Sequence, residues 1–288
     1  MSRAIPPLLE PYLLPSEAAL LVLTNILGAS TNWLVLRHLH ALLKPSPTTS
    51  DSNEPPTTVV LASFLRDLPF WTAGAARLGL DLDGLARRGR LVYVDGLSGV
   101  FAPPRAPTQQ QQQQQQQRAP AAAANPARWA VMSAALAEVG RVLHGAVDEA
   151  QARGGGRVVL VVDQLDFLLA ATGASADGAV TGLGLRELVL DLREKTHAAI
   201  LTFSADESLI GAQTTRLEKE HASFVLSLAH EAQTVISLRL LDTGTAKDVS
   251  GVMRITGGGD DSGTLVEEKE YLYHIGGDGG VRVFGRGQ

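Results

Sequence analysis

The chain has 288 residues, of which 45% are hydrophobic, and its 25 Lys and Arg against 30 Asp and Glu give a formal net charge of −5. This composition is typical of a folded globular protein, and the acidic balance argues against a broad basic surface for nucleic acid. Cysteine is absent, which excludes disulfides, thiolate metal sites and cysteine nucleophiles.

The uncharged run from Ala18 to Leu36 has nearly the length of a membrane span. Its centre carries polar side chains, including Thr24, Asn25 and Asn32, which are costly in a bilayer core but suit a buried strand that turns into a helix. The start of the chain is rich in proline and lacks a basic segment followed by an apolar stretch. We therefore expect no secretory signal and an intracellular protein.

The elements predicted in the first part of the chain alternate between strand and helix. An apolar strand over Ala19 to Thr24 precedes a helix over Asn32 to Leu43, whose apolar residues recur at helical spacing. A second strand, Val59 to Ser63, and a third, Leu91 to Val94, are separated by two short helices. These helices are predicted over Phe70 to Leu78 and Leu82 to Arg88.

Two low-complexity segments interrupt this pattern. The first, residues 44–56, is rich in Pro, Ser and Thr, and the second, residues 102–126, contains nine consecutive glutamines at Gln109 to Gln117. Neither segment carries enough apolar surface to offset the entropy of ordering it. We interpret both as surface insertions, the second of them disordered, within a single domain that spans residues 1–288.

The same alternation continues after the glutamine tract. An Ala-rich helix is predicted from Arg128 to Arg153, and the apolar strand Val158 to Val162 that follows must be covered on both faces. A helix at Leu183 to Lys195, a strand at Ala199 to Phe203 and a helix around His221 to Leu228 come next. The C-terminal part is rich in short strands with glycine-rich turns. These strands are Val235 to Leu241, Gly251 to Thr256, Glu270 to Ile275 and Val281 to Phe284.

This order of elements predicts an α/β fold, a three-layer sandwich with a mainly parallel central sheet and a C-terminal antiparallel β extension. In such sheets, ligands bind beyond the carboxyl ends of the strands. The turn from Thr24 to Asn32 has the position of a phosphate-binding loop, but it lacks the lysine and the pattern GxxxxGK[ST]. We therefore predict no ordinary ATP hydrolysis at this turn.

Asp163 directly follows the apolar strand Val158 to Val162. Nucleotide hydrolases place a carboxylate that holds Mg²⁺ at the same position, the end of a buried apolar strand. A structural role, such as capping the next helix, is the alternative, and Asp166 fits either role. Other catalytic patterns are absent, because Ser98 is not part of a GxSxG motif and Thr234 stands where an HExxH motif needs its second histidine. We therefore predict no catalytic residue, and we favour no metal site and no cofactor, with Mg²⁺ at Asp163 as the open alternative.

Five short strings, taken in order, resemble the subunit-six family of the Elongator complex in its filamentous-fungal form. The resemblance covers most of the chain outside the two low-complexity segments, and the missing phosphate-loop lysine agrees with it. The strings are Ala62 to Asp67 with Phe70 and Trp71, Leu78 to Leu82, Val94 to Leu97, Val162 to Asp166, and Val283 to Gly287.

The resemblance implies a RecA-like ATPase fold that has lost its own nucleotide-binding motifs. It implies a non-catalytic subunit without a cofactor, which joins Elongator subunits four and five in a hetero-hexameric ring with two copies of each. Rings of this kind bind tRNA and hydrolyse ATP, and the whole complex supports 5-carboxymethyl-type modification of wobble uridine. A cytoplasmic and nuclear protein without membrane attachment is implied as well.

The resemblance leaves a few residues of this chain as remnants of a nucleotide site, namely Gly28, Ser30 and Thr31 in the degenerate loop and Asp163. The runner-up hypothesis is a divergent RecA-like ATPase that binds nucleotide through backbone amides near Gly28 to Thr31, with Asp163 on Mg²⁺. A small-molecule hydrolase is a remote third, because no arrangement of Ser, His and Asp is evident.

Aromatic residues often carry much of the energy of protein association, and several here are predicted as interface anchors, with a place in the core as the alternative. These candidates are Phe64, Phe70, Trp71, Tyr271, Tyr273 and Phe284. Arg286 or Arg282 is a candidate to complete a neighbouring ATP site in trans, with surface pairing as the alternative.

Overall fold

The computed structural model describes residues 5–44, 56–101, 129–154, 156–172, 180–241, 246, 248–259 and 266–287. The low-complexity segments predicted at 44–56 and 102–126 lie outside these residues, apart from Lys44 and Pro56 at the two ends of the first. In the described ranges, none of the helices has the length and apolar character that crossing a membrane requires. The run from Ala18 to Leu36 instead contains a strand and the first turns of a helix.

A ten-stranded sheet lies at the centre of the molecule. Its strands are β1 Leu20–Asn25, β2 Thr58–Ser63, β3 Leu91–Asp95, β4 Trp129–Ala130, β5 Val158–Asp163, β6 Ala198–Ser204, β7 Thr234–Arg239, β8 Gly251–Gly257, β9 Lys269–Ile275 and β10 Val281–Phe284. Their spatial order is β10-β9-β8-β7-β1-β6-β5-β2-β3-β4. The pairs from β7 to β4 are parallel, whereas β8, β9 and β10 are antiparallel, which confirms the predicted mainly parallel sheet with an antiparallel extension.

Helices cover both faces of the sheet. They are α1 Asn32–Leu43, α2 Leu68–Arg77, α3 Leu82–Arg87, α4 Ser98–Phe101, α5 Leu136–Gly154, α6 Phe167–Ala171, α7 Gly182–Glu194, α8 Glu207–Ile210 and α9 Arg216–Glu231, with a 3₁₀ helix at Pro7–Tyr12. The predicted bounds of α1 agree with those of the structure. The helices α5, α7 and α9 each bury one apolar stripe, as helices on the outside of a sandwich do. By contrast, α1 is buried on nearly all sides.

Side chains on the parallel strands alternate between two apolar clusters. In β5, Val159 and Val161 pack with residues of α1, α2 and α3, whereas Val158, Leu160 and Val162 pack with residues of α5, α7 and α9. A strand that is covered on both faces has to be apolar at nearly every position, which explains the uninterrupted sequence of β5. The result is the three-layer sandwich that was predicted.

Two predictions about elements were wrong in detail. The helix predicted from Arg128 begins at Leu136, because Trp129–Ala130 pairs with the end of β3 instead. The indole N–H of Trp129 donates to Glu149 of α5 at 2.9 Å, so the residue packs against the helix rather than extending it. The first strand of the C-terminal extension, β7, is parallel to β1 and antiparallel to β8.

Candidate functional site

The parallel strands end along one side of the sheet, which we call the carboxyl edge. There, Asn25 of β1 lies beside Ser204 of β6. Asp163 of β5 lies between Ser63 of β2 and Thr202 of β6. Strand pairing thus gathers polar residues that are far apart in the sequence at the place where parallel sheets bind ligands.

The loop between β1 and α1, which contains Gly28, Ser30 and Thr31, closes into a tight turn. The Ala29 N–H donates to the Ile26 carbonyl at 2.9 Å. Gly28, at φ 91°, supplies the left-handed conformation in this turn, which a residue without a Cβ adopts without strain. A phosphate-binding loop needs a wider backbone cradle with free N–H groups, and this turn does not provide it.

Two further amides of this loop already have acceptors. The Leu27 N–H donates to Asp206 Oδ1 at 2.8 Å, and the Asn32 N–H donates to Ser30 Oγ at 3.2 Å. The carboxylate of Asp206 therefore brings negative charge to the loop, and no lysine of the loop offsets it. Phosphate groups would be repelled at this position.

Asp163 is buried, and both of its carboxylate oxygens accept hydrogen bonds from hydroxyl groups. Oδ2 accepts from Ser63 at 2.8 Å, and Oδ1 accepts from Thr202 at 3.0 Å. Burial raises the pKa of Asp163 to about 6, although these two hydrogen bonds act in the opposite direction. The side chain joins β5 to both neighbouring strands, whereas the residue at the N-terminus of α6 is Asp166.

Gln164 extends the hydrogen bonds around Asp163 into a polar network across the carboxyl edge. Its φ of 57° is left-handed, which is uncommon for a residue other than glycine. Its backbone N–H donates to the Thr202 hydroxyl at 3.0 Å, and its side-chain amide donates to Asn25 Oδ1 at 2.8 Å. Its side-chain oxygen accepts from the Ser204 hydroxyl at 2.8 Å. These bonds on several sides hold the unusual backbone conformation in place.

Asp166 and His221 form a buried pair at the same edge. His221 Nε2 lies 3.0 Å from Asp166 Oδ2, which also accepts from the Ser204 N–H at 3.1 Å. An imidazole held by a carboxylate is part of a hydrolytic triad, but His221 Nδ1 has no hydrogen-bond partner in the described part of the chain. The described residues also contain no group of three side chains suited to hold a metal ion.

We expect the isolated chain not to bind Mg-ATP with a Kd below about 1 mM, because the loop amides of Leu27 and Ala29 are already bonded and Asp206 brings negative charge beside them. Isothermal titration calorimetry with Mg-ATP measures this affinity. Binding at micromolar concentration, lost in an Asp163→Ala variant, would contradict the expectation and favour the divergent ATPase.

The aromatic residues predicted as interface anchors divide between the core and the surface. Those at most 1% exposed, which pack inside this chain, are Phe64, Trp71 and Tyr273. Those that keep exposed surface are Phe70, Tyr271 and Phe284. Arg286 is exposed and forms an ion pair with Glu270 of β9. An interface role for the exposed residues stays a prediction.

Two exposed leucines at the carboxyl edge were missed by the sequence analysis. Leu27 is 86% exposed, and Leu240, just after β7, is 43% exposed. A Cβ atom at Gly28 would lie 3.3 Å from the Leu240 side chain, so the two leucines flank the same turn. The sequence signal that could have found Leu27 is an apolar residue inside a loop with the position of a phosphate-binding loop. Hydropathy alone, however, does not distinguish the exposed Leu27 from its partly buried neighbour Ile26.

Comparison with known proteins agrees with this architecture. The model of the family described as Elongation complex protein 6 matches residues 55–276. Among solved structures, a KaiC-like protein from the hyperthermophilic archaeon Pyrococcus horikoshii OT3 is similar with a TM-score of 0.55 and 18% sequence identity, covering 98% of this chain and 97% of that one. No curated protein sequence matches this chain significantly.

The structural similarity shows a RecA-like fold and, at this level of identity, the fold alone. The family match covers more than half of the chain and includes the polar network from Ser63 to His221. The exposed Leu27 precedes the matched residues. The chain therefore belongs to the Elongation complex protein 6 family and is an Elongator subunit with a RecA-like fold.

Proposed function

We propose that this chain is a non-catalytic assembly subunit that joins Elongator subunits four and five in a hetero-hexameric ring, with two copies of each. One observation carries the proposal. The loop placed like a phosphate-binding loop is a closed turn that exposes Leu27 to solvent next to Leu240. Exposed apolar side chains that lie together and are surrounded by polar residues are typical of protein interfaces.

The assembled ring would bind tRNA and act in the 5-carboxymethyl-type modification of wobble uridine. We assign the tRNA contact to the ring, because a chain with a net charge of −5 has no excess of Lys and Arg for phosphate binding on its own. ATP hydrolysis would belong to the ring and not to this chain, which needs no cofactor. A cytoplasmic and nuclear location without membrane attachment belongs to the same proposal.

Native mass spectrometry of the chain alone, and after mixing with Elongator subunits four and five from the same source, tests the proposal. We expect the lone chain to be monomeric or unstable and the mixture to give one six-membered species. A chain that remained separate from both subunits would contradict the assembly role, and screening for nucleotides or small substrates would then be warranted.

The exposed turn gives a sharper prediction. A Leu27→Glu variant should keep its melting temperature, because the side chain is 86% exposed, but it should weaken assembly at least about tenfold, equivalent to about 1.4 kcal/mol. A buried unpaired carboxylate opposes association. Titration of labelled chain with the two partner subunits measures this affinity.

The matched control is Leu226→Glu, which changes a leucine that is 48% exposed on α9. This variant should assemble like the unchanged chain, since Leu226 lies on a helix and not beside the Leu27 turn. Equal loss of assembly in both variants, or unchanged assembly of Leu27→Glu, would place the interface elsewhere.

A further inference from the structure

A pocket of about 360 Å³ opens between α1, α2 and the turn that joins β9 to β10. A volume of this size falls within the range of small-ligand sites in proteins. The α1 wall includes Trp33, Leu36 and Arg37, the α2 wall includes Phe70, and Gly279 contributes from the turn. The pocket is separate from the polar network at the carboxyl edge.

Arg37 is the unusual member of this pocket. It is 2% exposed, and its Nη1 and Nη2 groups donate to the carbonyls of Trp33 at 3.2 Å and Gly279 at 2.8 Å. Within the described ranges, its Nε has no hydrogen-bond partner, and Arg37 forms no ion pair with a carboxylate there. Burial lowers the pKa of Arg37 to about 10, so the guanidinium remains charged at neutral pH. A buried charge without an opposite charge is unfavourable.

Two further donor groups line the pocket, and the side-chain amide of Asn32, which offers both a donor and an acceptor, lies at its wall as well. The indole Nε1 of Trp33 is buried and has no hydrogen-bond partner among the residues that the structure describes. Arg77 of α2 lines the pocket, and its Cδ would lie 3.3 Å from a Cβ at Gly279. The nearby carboxylate, Asp278, accepts from the Gly280 N–H at 2.8 Å. Neither arginine forms an ion pair with Asp278 in the described part of the chain.

We propose that this pocket binds an oxyanion, a carboxylate or a phosphate monoester, attached to a flat apolar group. The oxyanion lies between the guanidinium groups of Arg37 and Arg77, whose planar donor sets match oxygen pairs. The apolar group lies against Phe70 and Leu36. Every residue of the wall belongs to this chain, so the proposal can be tested on the chain alone.

Titration of the full chain with benzoate and with phenyl phosphate tests the proposal, and benzyl alcohol and benzylammonium serve as uncharged and cationic controls. Nitrogen-15 NMR follows the Nε–H signal of Arg37 and the indole N–H signal of Trp33. We expect both signals to shift with each anion, with Kd values of roughly 1 mM, and to stay in place with the controls. Equal shifts with benzyl alcohol would overturn the proposal, since charge would then not be recognised.

Variants at the rim locate the site without disturbing the buried arginine. Arg77→Gln should weaken binding of both anions at least about tenfold, and Ala73→Trp, at an exposed position that lines the pocket, should block it. Arg87→Gln, on an exposed arginine of α3, and Ala73→Ser should bind as the unchanged chain does. Loss of binding in Arg87→Gln together with retention in Arg77→Gln would show binding by surface charge and refute the site.

The relative affinity of the two anions identifies the source of the ligand. Tighter binding of benzoate indicates an acidic side chain or a chain terminus of a partner protein. Tighter binding of phenyl phosphate indicates a phosphate-bearing group. Failure of both anions to bind would remove the proposal while leaving the assembly role of the Leu27 turn unaffected.

Discussion

Replacing Trp71 with alanine is expected to lower the free energy of unfolding by about 3–5 kcal/mol. The side chain is fully buried within the apolar cluster under α1, α2 and α3. Its removal takes away a large apolar contact area and leaves a cavity that the surrounding helices fill incompletely. Its indole N–H has no hydrogen-bond partner in the described part of the molecule, so we attribute the loss to packing.

The neighbouring residue provides the matched control. Phe70 is 38% exposed and touches Trp71 edge-on, with ring centroids 5.3 Å apart. Phe70→Ala should cost less, about 1–2 kcal/mol, because part of the ring already contacts water. Urea unfolding followed by circular dichroism compares the two variants without depending on tryptophan fluorescence. Equal losses would contradict the burial of Trp71, and a loss of partner binding confined to Phe70→Ala would support the predicted interface role of Phe70.

Replacing Asp163 with asparagine is expected to change how stability depends on pH. Burial raises the pKa of Asp163 from 3.8 to about 6 in the folded chain, so the folded state holds a proton between these values that the unfolded state releases. The contribution of Asp163 to stability therefore falls as the pH rises from about 4 to about 6 and is constant above that range. At about 1.4 kcal/mol for each pH unit, this loss is on the order of 3 kcal/mol.

An Asp163→Asn variant keeps the shape of the side chain and removes this titration. We measure the free energy of unfolding of both proteins in urea at pH 4, 5, 6 and 7. The value for the variant minus the value for the unchanged chain should increase as the pH rises. The control is Asp148→Asn, whose side chain is 57% exposed and pairs with Lys195, and it should leave the profile unchanged apart from a surface contribution of about 0–1 kcal/mol. Parallel profiles for the unchanged chain and Asp163→Asn would show that Asp163 titrates like an exposed carboxyl group.

Local patterns were sufficient to predict most of the fold. The apolar runs in β5 and β6 and the helical spacing in α1 depend on neighbouring residues, and each was predicted within one or two residues of its bounds. The predicted start of α5 was wrong because a tertiary contact, the hydrogen bond from Trp129 to Glu149, outweighs local helical propensity at Trp129. The parallel pairing of β7 was missed since strand direction depends on where β1 lies and not on the sequence of β7.

The site was less accessible to sequence analysis because its contacts join distant segments. Asp163 meets Ser63 across 100 positions of sequence, and Arg37 meets Gly279 across 242 positions. No local pattern encodes such pairs. Phe70 and Trp71 are adjacent and equally apolar, yet one is exposed and the other buried, so composition could not separate interface candidates from core residues.

The division of the apolar interior by the sheet has a consequence for how this protein can diverge. The cluster beneath α1, α2 and α3 and the cluster beneath α5, α7 and α9 have no side chain in common. Substitutions without shared contacts have nearly additive effects on stability. Natural variation can therefore accumulate on one face while the other stays unchanged. Substitutions around the Arg37 pocket are therefore expected to leave the packing of the opposite cluster nearly unchanged.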